Sequence, residues 1–305
     1  MKFSIVIPTF NGERHISRTI ESAINQTRTA DEIIISDDNS TDSTLEICRK
    51  YEPTVKVTVN PGGPSGFVKG WQRAIEKASG EYISILHQDD LLYREFLEEI
   101  ERTVNDFPEV GHIFAVCDTI DEQGNIIRHA HEETANDRII YRKSEYPEAY
   151  EKETTHIHRC PGVITRKDIF KVCNYREEAG HIADDDFFLR VANYTDVVGI
   201  MKPLAAYREH SGSETGRLSD LSLNLRLMND YHYQLGHSDE NPLLTPTLIE
   251  LFKKRECTAL HRVIAGGIRT GRFSAALKGL RRWLQFDSRF GNVRFDLTSR
   301  LKGKQ

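Results

Sequence analysis

Apolar runs alternate with helical patterns along the first 120 residues, and this rhythm constrains the fold more than any other feature of the chain. The predicted strands are Phe3–Ile7, Glu32–Ser36, Val55–Val59, Tyr82–Leu86 and Gly111–Cys117. The predicted helices between them are Glu13–Gln26, Ser43–Tyr51, Ser65–Ala78 and Leu92–Asn105. Strands that alternate with helices of about ten to fifteen residues indicate βαβ units. The sequence therefore predicts an α/β fold with a mixed, mostly parallel sheet flanked by helices.

The rhythm changes beyond Asp118. Asp121–Asn125 predicts a hairpin turn before Ile126–Ile127. A helix is predicted at Ile182–Val191 and a strand at Val197–Ile200. Apolar residues at helical spacing predict three further helices, at Leu218–Leu235, Thr245–Thr270 and Phe273–Phe286. We expect these three to form a helical C-terminal extension.

Composition and cysteine usage indicate a cytoplasmic protein. No stretch approaches the ~18 apolar residues of a membrane-spanning helix, and the first residues fit a strand better than a signal peptide. The 5 cysteines are scattered and none forms a C-x-x-C pair, so neither a zinc site nor a disulfide framework is expected.

The charge of the chain is divided unevenly. From Leu251 onward there are 14 Lys/Arg and 3 Asp/Glu, a net charge of +11, so the first 250 residues carry −16 of the total of −5. The basic amphipathic C-terminal segment is compatible with two arrangements: it lies on an anionic membrane, or it packs on the domain with a solvated basic face. The acidic remainder disfavours nucleic-acid binding.

Polar clusters follow three of the predicted strands: Pro8–Asn11, Asp37–Asp42 and His87–Asp90. The carboxyl ends of parallel strands share one edge of a sheet, where ligands bind, so we expect one common crevice. Asp89 and Asp90 could hold a diphosphate through Mg²⁺ or Mn²⁺. The structural alternative is that these residues cap the helices that follow.

A glycine-rich loop, Asn60–Gly66, precedes the third predicted helix. It does not fit the dinucleotide fingerprint, because Pro61 stands where that spacing needs a glycine. Its amides could still approach a phosphate, and Lys69 could assist from the first turn of the helix. Lys69 is equally compatible with a solvated surface position.

Three motifs in this order resemble the family 2 glycosyltransferases of the GT-A fold: Ser4–Asn11, Asp37–Asp42, and Gly80–Ile83 running into Gln88–Asp90. The resemblance covers roughly residues 3–215. It implies a nucleotide-diphosphate-sugar donor, a divalent metal (Mn²⁺ or Mg²⁺) and inversion at the anomeric carbon. The implied organisation is a GT-A domain at 1–215, with a donor-binding half at 1–118 and an acceptor-binding half at 119–215, followed by the basic extension at 216–305.

The resemblance also implies roles for the donor-side residues. Thr9 and Asn11 would lie near the base and ribose, Asp38 would read the base, and Asp89 would bind the metal. Pro8, Gln88 and Lys69 complete the predicted donor-binding set. Asp37 and Asp90 are further candidates, with Asp37 shaping the turn. His87 stands where family members often have an acid that faces the donor ribose, which leaves the identity of the donor open.

The acceptor side carries two more motifs. His181–Arg190 resembles the family's Glu-Asp-x-x-Leu-x-x-Arg helix start, and it places the catalytic base at Asp184, with Ala183 where glutamate is common. The alternative for three adjacent aspartates is helix capping and dipole compensation, which we favour for Asp185 and Asp186. Tyr207–His210 resembles the family's Tyr-Arg-x-His element, so His210 would bind the metal or the diphosphate, and Arg208 is a further candidate.

These observations predict a metal-dependent inverting glycosyltransferase that acts on a glycan or lipid-linked acceptor in cell-surface polysaccharide synthesis. We expect it in the cytoplasm, at the inner face of the cell membrane if the basic helices make peripheral contact with lipid. One alternative is a sugar-nucleotide pyrophosphorylase, which would want a Gly-rich, Arg-containing loop after the first strand that Pro8–Glu13 does not supply. Another is a protein that binds sugar nucleotide without transferring the sugar.

Overall fold

A computed structural model of the chain describes residues 1–130, 137–143, 145–146, 160–210 and 245–290, with positions 225, 229, 233 and 236. The chain divides into two compact units, one of Met1–Gly216 with His237–Ile249 and the other of Arg217–Gly236 with Glu250–Gln305. The helix predicted at Leu218–Leu235 lies almost entirely outside the described residues.

One sheet forms the centre of the first unit. Its strands, within the described residues, are β1 (Phe3–Thr9), β2 (Glu32–Asp37), β3 (Lys56–Val59), β4 (Tyr82–Ile85), β5 (Leu91–Leu92), β6 (His112–Ile120), β7 (Ile126–Arg128), β8 (Arg138–Tyr141), β9 (Val163–Arg166) and β10 (Val197–Arg208). The helices around it are α1 (Ile16–Ile24), α2 (Thr44–Arg49), α3 (Phe67–Lys77), α4 (Phe96–Asp106) and α5 (Ala183–Val191).

The strand order is β3-β2-β1-β4-β9-β6-β10-β5, with β7 paired to β6 and β8 paired to β10. The pairs β1–β2, β1–β4, β2–β3 and β6–β10 are parallel, whereas β9 runs antiparallel to both of its neighbours, β4 and β6. The predicted mixed, mostly parallel sheet with flanking helices is therefore confirmed. Because β1, β2 and β4 run in one direction, their carboxyl ends lie at the same edge.

Helices cover the sheet with one apolar face each. In α1 the buried residues Ile16, Ile20 and Ala23 recur at helical spacing, and β1 is buried along almost its whole length. A strand buried on both faces is a near-continuous apolar run, which is why the parallel strands were visible in the sequence. Each fully buried Ile contributes about 1.5–3 kcal/mol of transfer free energy, and this burial fixes the register of the strand ends.

Several element boundaries differ from the sequence prediction, and the strands β5, β8 and β9 were not predicted. Leu92 belongs to β5 rather than to the predicted helix, and α4 begins only at Phe96. β10 runs to Arg208, well past the predicted end at Ile200. β9 was not predicted, because four residues that end in an arginine carry too little pattern to mark a strand.

The second unit contributes α6 (Pro246–Arg269), whose first residues belong to the first unit, and α7 (Phe273–Phe290). Both agree with the predicted C-terminal helices. None of the helices in the described part of the chain is long and apolar enough to cross a membrane. The 5 cysteines are free and buried.

Candidate functional site

The ends of β1 and β2 are joined by hydrogen bonds between their polar clusters. Thr9 Oγ1 donates to Asp37 Oδ2 over 3.1 Å, and the amide of Asn11 donates to Ser40 Oγ over 2.9 Å. The Asn11 side chain accepts from the Thr41 amide in return, over 2.9 Å. The Asn11 backbone has φ 49°, a left-handed conformation that asparagine tolerates better than most residues. Two of the three predicted clusters therefore form one surface.

Gln88 connects the third cluster to the first. Its Oε1 accepts from the Phe10 amide over 2.9 Å, and its Nε2 donates to the Phe10 carbonyl over 3.1 Å. Pro8 immediately precedes Thr9 on β1 and lies opposite Ser36 of β2. The structure thus brings Pro8, Thr9, Asn11 and Gln88 to the same edge of the sheet.

Asp37 and Asp38 have different surroundings. Asp37 is fully buried, and its carboxylate accepts from the amide of Ser40 over 2.9 Å and from its hydroxyl over 2.6 Å. These contacts close the turn after β2, as predicted. Asp38 accepts from Asn60 Nδ2 over 2.6 Å and forms an ion pair of 2.5 Å with Arg73. Asp38 is thus a carboxylate held in place by neighbours from two other elements.

Sequence reasoning missed Arg73. The signal was available, because Lys69, Arg73 and Lys77 recur every four residues on α3 and so share one helix face. The sequence instead predicts Lys69 as a donor-binding residue. In the structure Lys69 forms an exposed ion pair of 3.0 Å with Glu177. In the same helix, a Cβ at Gly70 would lie 3.2 Å from Asp38 Oδ2, so the helix backbone comes close to the carboxylate.

The glycine-rich loop before α3 has room for a Cβ atom at three of its glycines. A Cβ built at Gly62, Gly63 or Gly66 meets no atom within 4 Å, and Gly63 and Gly66 have φ of 68° and 97°. Such φ values strongly favour glycine. The Gly63 amide donates to the Asn60 carbonyl over 3.2 Å, which closes the start of the loop.

His87 lies between the donor-side residues and α5. Its ring stacks on Trp71, with centroids 5.0 Å apart and planes at 19°, and Trp71 meets the Tyr175 ring edge-on at 5.1 Å. Burial lowers the pKa of His87, while the carboxylates of Asp89 and Asp184 act in the opposite direction. His87 thus interacts electrostatically with both Asp89, the predicted metal ligand, and Asp184, the predicted catalytic base.

Asp89 and His210 form the predicted metal-binding pair. Asp89 Oδ2 and His210 Nε2 are 2.9 Å apart. Burial raises the pKa of Asp89, but the hydrogen bond with His210 and the nearby positive charge outweigh it and lower the pKa below its ordinary value. Asp89 is therefore ionised at neutral pH.

The side chains of Asp89 and His210 together fit a metal ion that also binds substrate phosphates. Among the residues that the structure describes, no group of three or more His, Cys, Asp or Glu is placed to hold a metal ion alone. Mg²⁺ takes one or two carboxylates together with substrate phosphates, and imidazole is a common ligand of transition metals. One carboxylate with one imidazole leaves most coordination positions to phosphate oxygens and water.

Asp90 and Arg208 form buried hydrogen bonds next to Asp89 and His210. Asp90 is buried, and its Oδ1 accepts from the Arg208 amide over 2.8 Å. The Arg208 guanidinium, also buried, donates to the carbonyls of Asp89 over 2.7 Å and Asp121 over 2.8 Å. Both residues thus fix the backbone around Asp89 and belong to the supporting structure.

His15 was also missed by sequence reasoning. It is buried at the start of α1, and its ring meets that of His210 edge-on at 4.9 Å. A single histidine at a helix start carries no pattern, so only the folded structure shows this contact.

Asp184 occupies the first turn of α5. Burial and repulsion by Asp185 raise its pKa to about 6. Asp186, one position further, forms a buried ion pair of 2.6 Å with Arg190, and Arg190 also donates to the Asn174 carbonyl over 2.7 Å. Asp186 is thus engaged by Arg190, whereas the pKa of Asp184 suits a general base.

The family follows from a direct match. Residues 4–173, more than half of the chain, match the profile of Glycosyl transferase family 2. The chain belongs to this family. The confirmed resemblance spans the strands β1, β2, β4, β6 and β9 described above.

Curated relatives match over shorter stretches. The chain is 35% identical over 106 residues (32% of this chain, 18% of the relative) to the poly(ribitol-phosphate) β-N-acetylglucosaminyltransferase TarS of Staphylococcus aureus. It is 45% identical over 105 residues (32% and 16%) to a poly(ribitol-phosphate) β-glucosyltransferase of Bacillus spizizenii. It is 31% identical over 128 residues (41% and 40%) to a GalNAc(5)-diNAcBac-PP-undecaprenol β-1,3-glucosyltransferase of Campylobacter jejuni. The matched stretches span well under half of these relatives.

Solved structures share the fold. The S. aureus TarS 1–349 complex with UDP aligns with a TM-score of 0.58 at 18% identity, over 87% of this chain and 72% of that one. The mannosyltransferase PcManGT of Pyrobaculum calidifontis, solved with GDP-Man and Mn²⁺, aligns with a TM-score of 0.57 at 17% identity, over 94% and 84%. The predicted GT-A fold is confirmed.

Proposed function

We propose that this protein is a metal-dependent inverting glycosyltransferase, which moves a sugar from a nucleotide-diphosphate donor to a glycan or lipid-linked acceptor. The observation that carries the proposal is the pairing of two carboxylates with opposite pKa shifts. Asp89 is kept ionised beside His210, whereas the pKa of Asp184 is raised to about 6. Carboxylates whose pKa values are driven apart are typical of sites that divide ligand binding from proton transfer.

Asp184 is the proposed base. Inverting transfer forms a bond from the acceptor oxygen to the anomeric carbon as the bond to the diphosphate breaks, and the acceptor hydroxyl loses its proton. A carboxylate with a pKa of about 6 is ionised at neutral pH and still basic enough to take that proton. The raised pKa also favours the protonated product state of the step.

The donor is proposed to lie along the edge formed by Pro8, Thr9, Asn11 and Gln88. Asp38, which Asn60 and Arg73 hold in place, would accept hydrogen bonds from the nucleobase. The glycine-rich loop and Lys69 would face phosphate, with Lys69 leaving its exposed partner Glu177. Asp89 and His210 would hold the divalent metal, which supplies positive charge to the departing diphosphate.

The nature of the acceptor follows the relatives. Three of the relatives act, by their names, on poly(ribitol-phosphate) or on an undecaprenol-linked glycan. We therefore propose a role in cell-surface polysaccharide synthesis at the cytoplasmic side of the membrane, with peripheral contact through the basic C-terminal helices.

The test is hydrolysis of a panel of donors (UDP-GlcNAc, UDP-Glc and GDP-Man) with and without Mn²⁺, where water replaces the acceptor. We expect one donor to turn over only with the metal. Asp184→Asn should lower kcat by roughly 10²–10⁴-fold, the usual contribution of a general base, and should leave donor affinity nearly unchanged. The matched control is Asp168→Asn, which removes an exposed carboxylate that pairs with Arg166.

Turnover that is indifferent to both Mn²⁺ and Asp184 would rule out this mechanism. Donor binding with no turnover in the wild type, across the panel and with added acceptor glycans, would favour the sugar-nucleotide-binding alternative. Release of nucleoside triphosphate from donor and pyrophosphate would indicate a pyrophosphorylase.

A further inference from the structure

The helices α6 and α7 contact each other through small residues. A Cβ at Gly267 would lie 2.7 Å from the Ala276 amide nitrogen, and a Cβ at Gly279 would lie 3.0 Å from side-chain carbons of Val263 and Ile264. Leu260, Val263 and Ala276 are buried. These contacts account for only part of the apolar residues that the two helices carry.

A second apolar set points away from this contact. Four large side chains within 13 positions are exposed: Ile268 (59%), Phe273 (64%), Leu277 (53%) and Leu280 (41%). Phe273, Leu277 and Leu280 are spaced four and three apart, so they lie on one face of α7. Single exposed apolar residues are normal on a protein surface, but a contiguous patch indicates an interaction site. We call these four residues the outer stripe.

The exposed charged side chains that the structure describes between Cys257 and Arg281 are all positive. Between Cys257 and Phe286 the sequence has 6 Lys/Arg and no Asp or Glu. Arg262, Arg269, Arg272, Lys278 and Arg281 are all exposed. A phenylalanine and three aliphatic residues rimmed by cations match an anionic lipid surface, whose interior is apolar and whose headgroups are negative.

The charge argues against a second copy on this face. Two outer stripes brought together would also bring together the like-charged residues Arg262, Arg269, Arg272, Lys278 and Arg281 of each copy, which is destabilising. Nucleic acid would engage the cations but would leave the aliphatic residues without a partner.

We propose that the outer stripe and its basic rim dock this protein on a bilayer that contains anionic lipid. The four apolar side chains enter the boundary between headgroups and acyl chains, and the arginines and lysine contact the headgroups. The docking face gives residues to the peripheral membrane contact of the proposed function and rests on it. Because docking needs neither donor nor metal, its test can fail while the transfer reaction stands.

The experiment is co-sedimentation of the full chain with extruded vesicles, without donor or metal. One vesicle type is phosphatidylcholine alone, and the other contains about one-third phosphatidylglycerol. We expect binding to the anionic vesicles, little binding to phosphatidylcholine, and a loss of binding in high salt because exposed charges are screened.

Two variants divide the apolar and charged contributions. Phe273→Ser with Leu277→Ser, and Arg272→Gln with Lys278→Gln, should each weaken partitioning by about tenfold or more, since an inserted apolar side chain and each cation contribute separately. All four positions are exposed, so both variants should fold, which circular dichroism checks. The matched control is Lys171→Gln with Val172→Ser, an exposed cation and an exposed apolar residue (58%) of the first unit, which should bind like the wild type.

Equal binding by the two outer-stripe variants and the wild type would overturn the proposal. So would equal binding to both vesicle types, or none to either. Self-association in sedimentation velocity that Phe273→Ser with Leu277→Ser abolishes, in a protein that does not bind vesicles, would assign the face to a second copy instead.

Discussion

Asp184 has surroundings that oppose its charge. Burial and the neighbouring Asp185 both favour its protonated form, and together they raise its pKa to about 6. The structure around it is otherwise firmly held, because Asp186 fixes the Arg190 side chain within α5 and Arg190 donates to the Asn174 carbonyl. A strained charge on a fixed helix start is a feature of function rather than of folding.

The raised pKa predicts the acid limb of the pH profile. Asp184 must be ionised to accept a proton, so kcat/KM should rise tenfold per pH unit up to about pH 6 and level off above it. Asp185→Asn removes the repelling carboxylate, and the limb should move to lower pH. Asp168→Asn serves as the control and should leave the limb in place. An Asp185→Asn profile that coincides with the wild type would contradict the assignment of the limb to Asp184.

The same pKa predicts a gain of stability when the base is removed. A folded-state pKa above the unfolded value of about 4 means that the folded chain holds the proton more tightly. The stability contributed by Asp184 is therefore complete below pH 4 and declines as the pH rises through 6. At pH 7.5 we expect Asp184→Asn to raise the free energy of unfolding by about 1 kcal/mol, after solvent screening is allowed for.

This gain is measured as a melting temperature roughly 2 °C higher than that of the wild type at pH 7.5. The difference should disappear below pH 4, where Asp184 is protonated in both states. A variant that is less stable than the wild type at pH 7.5 would show that the Asp184 carboxylate makes favourable contacts that outweigh its burial.

At the scale of elements, the sequence predicts the strands and helices that have a clear local pattern of apolar residues. Strands β1, β2 and β4 are buried on both faces and appear as apolar runs, and the polar clusters at their ends were correctly expected to share one edge. β9 was missed because its place between β4 and β6 is decided by antiparallel pairing with residues far away in the sequence. β5 was missed because two residues carry no period, so Leu92 was assigned to the helix that follows.

The same limit applies to the candidate site. The sequence neighbours of Asp37 predict its place in the turn after β2, and the family motifs predict Asp89 and His210 as metal ligands. The ion pair of Asp38 with Arg73 and the ring contact of His15 with His210 join residues from different elements. Contacts of this kind depend on packing, and a single sequence does not record them.

The contact between α6 and α7 predicts an unusual sign for a glycine substitution. Gly→Ala inside a helix normally stabilises by about 0.5–1 kcal/mol. At Gly267 the added Cβ would lie 2.7 Å from the backbone nitrogen of Ala276, which cannot move without shifting α7. We therefore expect Gly267→Ala to lower the free energy of unfolding by roughly 1–3 kcal/mol, as overpacking does.

Gly279→Ala is the matched control within the same contact. Its Cβ would meet flexible side-chain carbons at 3.0 Å rather than backbone, so the helix propensity of alanine should largely offset the crowding. Denaturant unfolding of both variants tests the pair. A Gly267→Ala protein as stable as Gly279→Ala would show that the two helices are not held this closely.

The whole molecule separates its charge, and this separation bears on how a donor can bind. The first 250 residues, which contain every proposed donor-binding residue, have a net charge of −16. A nucleotide diphosphate is itself an anion, so the acidic unit repels it unless local cations intervene. Arg73 is engaged by Asp38, and Lys69 by Glu177. We therefore expect tight donor binding to depend on a divalent cation at Asp89 and His210.

This dependence predicts positive coupling between donor and metal in a thermal-shift measurement. With Mn²⁺ present, a donor at about 100 times its Kd should stabilise the folded chain by about 2.7 kcal/mol, or roughly 5 °C in melting temperature. Replacing Mn²⁺ with a chelator should weaken donor binding at least about tenfold, and by linkage the donor should tighten Mn²⁺ binding by the same factor. Asp89→Asn should abolish the coupling, because it removes the ionised ligand, while Asp168→Asn should retain it. A donor-induced shift of equal size in chelator and in Mn²⁺ would mean that the chain neutralises the diphosphate with its own side chains.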